Sequence, residues 1–105
     1  MDPFATQVSE LLRQRGALPM PDVARALLVS ERSLHRRLAD EGTSFSAVLD
    51  QTRLALAQEL LVEAGLTTYQ ISARLGFANV RSFHRAYRRW TGTTPRQNPI
   101  GYPRD

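Results

Sequence analysis

The pentapeptide Arg32-Ser33-Leu34-His35-Arg36 recurs 49 residues later as Arg81-Ser82-Phe83-His84-Arg85. Four positions are identical and the fifth is apolar in both. On a helix, residues at i, i+3 and i+4 share a face. Arg32, His35 and Arg36 therefore stand together, with Leu34 and Leu38 turned inward. Arg81, His84 and Arg85 stand in the same relation to Phe83 and Tyr87. A guanidinium makes two parallel hydrogen bonds of the kind that guanine O6 and N7 accept in the major groove. Histidine donates to, or accepts from, a base edge or a phosphate. One such helix is ordinary solvated surface; two copies point to nucleic acid.

These residues need elements to position them, and glycines and prolines mark the boundaries of a wholly helical chain. Apolar spacing predicts helices over 4–15, 21–28, 31–41, 44–64, 68–75 and 80–91. Thr94 and Pro95 read as the cap and first turn of a short last helix that Pro99 ends. Ser30, Thr43 or Ser44, Thr67 or Thr68, and Asn79 are the predicted N-caps. At an offset of 48, Val23 matches Ile71 and Leu27 matches Leu75. Each pentapeptide thus follows a short helix and a tight turn. The second turn, Leu75-Gly76-Phe77-Ala78-Asn79, is one residue longer than Leu27-Leu28-Val29-Ser30. Strands are not expected, because no segment alternates with period two.

The charge is uneven. All 14 basic residues are Arg. Residues 1–70 hold seven Arg against nine acids, whereas residues 71–105 hold seven Arg against Asp105 alone. A basic C-terminal third is the electrostatic footprint of a phosphate-rich partner. With 105 residues and 42% hydrophobic content, a compact core is expected. Cysteine is absent, which excludes disulfides and thiolate chemistry. No apolar run approaches the ~18 residues of a membrane span, and the N-terminus lacks a signal-peptide layout. The expected location is the cytoplasm, in association with the nucleoid. His35 and His84 stand 49 residues apart, so neither a metal nor a cofactor is expected. No nucleophile–base pair indicates an enzyme. Two rivals are a protein-interaction module with a basic face and a non-specific architectural binder of nucleic acid.

Longer motifs add a family resemblance. Residues 30–42 read S-E-R-S-L-H-R-R-L-A-D-E-G. Arg53, Ala57, Leu60 and Leu61 form R-x-x-x-A-x-x-L-L. Residues 71–79 read I-S-A-R-L-G-F-A-N, and 82–95 read S-F-H-R-A-Y-R-R-W-T-G-T-T-P. In these segments the chain resembles the DNA-binding domain of AraC/XylS-type bacterial transcription regulators, over about residues 8–97. The wording of 32–38 is most similar to the branch with an arabinose-regulator-like N-terminal domain. The sequence departs from the family at its end, where Asn98 and Pro99 replace the usual Tyr-Arg, which implies a shorter last helix.

The resemblance implies an all-α fold of seven helices. Two homeodomain-like helix-turn-helix subdomains, 1–42 and 66–105, are joined by a connector helix within 43–65. Promoter DNA would be read through two adjacent major grooves, at Arg32, His35 and Arg36 and at Val80, Arg81, His84 and Arg85. Arg36 and Arg85 would lead on guanine, and Val80 would meet a thymine methyl. Ser82 would contact phosphate. Ser30, Asn79, Arg88, Arg89 and Arg96 are further phosphate candidates. RNA polymerase and an N-terminal effector or dimerisation domain absent from this chain are the expected partners. Arg53 is expected in a structural ion pair, and Trp90 in the core beside Tyr87.

Overall fold

The computed structural model describes residues 3–63 and 65–95, and its described residues contain helices and no strand. Six helices follow in order: α1 (Phe4–Arg15), α2 (Met20–Ala26), α3 (Glu31–Asp40), α4 (Phe45–Leu61), α5 (Thr68–Arg74) and α6 (Val80–Thr91). The predicted seventh helix falls mainly outside the described residues, as does Arg96. Thr94 and Pro95, its expected cap and first turn, are described and are not helical. The connector is shorter than the 44–64 expected; its 17 residues span about 25 Å. The chain divides into two compact units, one through Thr52 and the other from Arg53, so α4 contributes to both.

The first unit is built around Phe4, Val8 and Leu12 of α1, Val23 and Ala24 of α2, Leu34 and Leu38 of α3, and Val48 of α4. Their helical spacing gives each helix one apolar stripe. Pro3 has no side-chain acceptor with which to cap α1. Glu41 supplies one from 37 residues away: its carboxylate accepts from the Phe4 amide at 2.6 Å and the Ala5 amide at 2.8 Å. Arg37 lies over the Phe4 ring, 4.0 Å from its centroid. The end of α3 therefore holds the start of α1. Thr52, 4% exposed, donates its one hydroxyl proton to the Val48 carbonyl at 2.8 Å. Ser9 is then the donor in the 3.0 Å Ser9–Thr52 hydroxyl pair that fastens α1 to α4.

The second unit is built around Ala57 and Leu61 of α4, Ile71 and Leu75 of α5, and Phe83 and Tyr87 of α6. Its core is richer in aromatic rings than the first, which has Phe4 and Phe45 among aliphatic side chains. The Phe83 ring lies 5.5 Å from Phe77 and 5.9 Å from Tyr87, and Trp90 lies 6.4 Å from Tyr87. Trp90 packs against this cluster, as its place beside Tyr87 predicts. Burial pushes the Tyr87 hydroxyl pKa up. Arg53 stacks on Phe77, with its guanidinium carbon 4.5 Å from the ring centroid, a structural role that involves an aromatic face.

Both helix-turn-helix turns use the same hydrogen bonds. In the first, Val29 N–H donates to Ala24 C=O at 3.0 Å and Leu28 N–H to Arg25 C=O at 3.2 Å. In the second, Phe77 N–H donates to Ser72 C=O and Gly76 N–H to Ala73 C=O, each at 3.1 Å. This pair of bonds closes a helix through one residue in the left-handed region. Gly76 takes that position with φ +83°, and Leu28 takes it with φ +60°. The left-handed Leu28 also explains why α2 stops at Ala26 and not at the predicted residue 28. The extra residue of the second turn is Ala78, between that closure and the cap of α6. Beside it the buried Ser72 hydroxyl donates to the Asn79 carbonyl at 3.0 Å and secures the longer turn to α5.

Candidate nucleic-acid interface

Each repeated helix starts on the same kind of cap. The Ser30 hydroxyl accepts from the Ser33 amide at 3.0 Å, and the Asn79 side-chain carbonyl accepts from the Ser82 amide at 2.8 Å. These bonds satisfy amide groups that the first helical turn leaves free, and they fix where each helix begins. The buried side chains then set its rotation. Leu34 and Leu38 are wholly buried in α3, as are Phe83 and Tyr87 in α6. What remains outside is the Arg/His surface.

On α3 this surface carries Arg32, His35 and Arg36, all exposed, with the exposed Ser30 at its start. On α6 it carries the exposed Arg81, Arg85, Arg88 and Arg89, with Asn79 exposed and Val80 and Ser82 half-buried. Arg81, Arg85 and Arg88 follow i, i+4 and i+7 spacing and form one stripe. Arg88 and Arg89 also lie in the last turn, where cations suit the helix dipole. The structure thus groups Arg32, His35 and Arg36 on one helix, and Val80 with the Arg81–Arg89 stripe on another.

The two copies differ in ways the repeat conceals. His84 is not an exposed twin of His35: it is half-buried, and its Nε2 is buried with no hydrogen-bond partner. Phe83 brings an aromatic ring 6.1 Å from the His84 ring, where Leu34 offers His35 none. Arg37 is drawn to Phe4, and Ala86 in the matching position of α6 is buried. The last turn of α3 has Ala39 and Asp40 where α6 has Arg88 and Arg89. The motif reading also passes over Glu31, an exposed acid in the first turn of α3. A comparison at the same offset of 49 finds it, since it falls on Val80.

Among the described residues no group of three or more His, Cys, Asp or Glu is arranged to hold a metal ion. No helix among them is long and apolar enough to cross a membrane. The surface offers positive charge and hydrogen-bond donors, as guanidinium groups on both helices and an imidazole at His35.

Comparison with known proteins agrees with this architecture. A family model described as a helix-turn-helix domain matches residues 23–98. An HTH-type transcriptional regulator of Mycobacterium tuberculosis is 47% identical over 88 residues, which are 83% of this chain and 26% of that protein. The crystal structure of the transcriptional regulator CdpR from Pseudomonas aeruginosa has a TM-score of 0.84 at 39% identity, covering 91% of this chain and 31% of that one. A regulator structure from Chromobacterium violaceum, described as containing an AraC-type DNA-binding domain, has a TM-score of 0.81 at 29% identity. It is matched over 92% of this chain and 89% of its own. The chain spans about a quarter of the length of the curated relatives it matches.

Proposed function

Because the chain belongs to the AraC-type helix-turn-helix family of bacterial transcription regulators, we propose that it reads an asymmetric promoter sequence with α3 and α6 in two adjacent major grooves. One observation carries this reading: a side-chain cap, a turn closed by the same pair of hydrogen bonds and a buried apolar pair at i, i+4 spacing leave an Arg-rich face outward on both helices. In each unit the second helix of the motif is the one suited to a groove.

Arg32, His35 and Arg36 read bases in one groove, and Val80, Arg81 and Arg85 in the other. Arg36 and Arg85 take guanine, and Val80 meets a thymine methyl. His84, with Nε2 covered, presents its remaining edge. Ser30, Asn79, Ser82, Arg88 and Arg89 hold phosphates and set register. The α6 unit supplies more of the salt-dependent affinity, because α6 has four arginines and no acid. The α3 unit supplies relatively more discrimination. RNA polymerase and an N-terminal effector or dimerisation domain are the proposed protein partners, in the cytoplasm.

Selection from random duplex pools at ~0.15 M salt tests the proposal. The expected product is an asymmetric motif with two half-sites about one helical turn, ~10 bp, apart. Binding without enrichment refutes sequence reading and favours an architectural protein. No binding refutes the DNA reading altogether and favours a protein-interaction module.

A further inference from the structure

We infer that Glu31 is a specificity-determining residue of the first unit, its carboxylate accepting a hydrogen bond from a cytosine N4 amino group in the groove that α3 occupies. The inference rests on the DNA reading above and adds a base to it. Glu31 is the first residue of α3, directly after the Ser30 cap, and it is exposed. Recognition helices present their N-terminal residues to base edges. Among the described residues the Glu31 carboxylate has neither an ion-pair nor a hydrogen-bond partner. It lies beside Arg32 and one turn before His35, within the Arg/His surface.

A free carboxylate in that place is repelled by every phosphate, so it weakens binding to any duplex that offers it nothing. Most major-groove atoms also repel it. Guanine O6 and N7, adenine N7 and thymine O4 are all acceptors. Only adenine N6 and cytosine N4 donate. Adenine N6 sits beside the N7 lone pair, whereas cytosine N4 sits beside a C–H edge. A carboxylate, which only accepts, therefore selects cytosine. The matching residue of α6 is Val80, with no charge and an affinity for thymine methyls. Two copies of one repeat thus read different bases at the same place in the helix. A first-turn acid also suits the helix dipole, but that role alone carries no base preference.

The test uses the whole chain as wild type, Glu31→Gln and Glu31→Ala, each taken through random-pool selection, with circular dichroism showing that all three are folded. Wild type should enrich cytosine at one position of the α3 half-site. Glu31→Gln should move that position to adenine, because an amide pairs with both N6 and N7. Glu31→Ala should lose about tenfold of the discrimination there, about 1.4 kcal/mol. The other positions should keep their preferences. The same motif from all three chains, or a uniform gain in affinity for every duplex, overturns the assignment to Glu31 while leaving the DNA reading intact. A wild-type chain that enriches no motif overturns both.

Discussion

Leu28 and Gly76 occupy equivalent places in two turns with the same hydrogen bonds, so a reciprocal exchange measures the cost of the left-handed leucine. A non-glycine residue in that region costs roughly 1–2 kcal/mol. Glycine returns about 0.5–1 kcal/mol of this through the greater freedom of its unfolded chain. Leu28 is 91% exposed, so removing its side chain gives up almost no burial. Leu28→Gly should therefore stabilise the protein by about 0.5–1 kcal/mol and raise the melting midpoint by roughly 2–8 °C. Gly76→Leu should lower stability by a similar amount, since its φ of +83° is no kinder to a side chain. Leu28→Ala keeps the Cβ and should leave the midpoint close to wild type. The assay is thermal denaturation followed by circular dichroism at 222 nm. If Leu28→Gly melts at or below wild type, the left-handed leucine carries no removable strain and the reasoning fails.

Replacing Arg36 or Arg85 with Ala should cost about 1–3 kcal/mol at the selected site and relax preference at one base position. Equal losses on selected and random duplexes would assign these residues to phosphate. Leu34→Ala and Phe83→Ala should each destabilise by about 2–5 kcal/mol in chemical denaturation, because both side chains are wholly buried. Glu41→Ala, which removes the acceptor for both Phe4 and Ala5, should cost about 0.5–2 kcal/mol, with wild-type stability as the refuting result.

What the sequence disclosed follows from the range of the interactions. Helix rotation was legible because i, i+4 spacing alone turns Leu34 and Leu38 inward, and Phe83 and Tyr87 likewise. The caps at Ser30, Thr67 and Asn79 were legible because each bonds an amide three residues ahead. The contacts of Glu41 with Phe4 and Ala5, and of Arg37 with Phe4, were not. They join residues more than thirty positions apart, and nothing local to a glutamate names the amide it will cap. Leu28 gave no warning either, since leucine seldom adopts positive φ. The near-identity of the pentapeptides hid the difference between His35, which is exposed, and His84, which is half-buried with its Nε2 covered.

The first amides of a helix have no acceptors of their own and usually exchange with solvent freely, whatever the rest of the domain is doing. Phe4 and Ala5 differ, because the carboxylate that holds them belongs to the far end of α3. Their exchange rates therefore register events far along the chain. Loosening of α3 leaves them unguarded, and so does separation of α1 from it. Closing a loop of that length costs about 3 kcal/mol of chain entropy, so the two amides become protected only after the intervening α2 and its turn have brought the ends together. The outermost hydrogen bonds of the first unit thus keep time with its assembly as a whole.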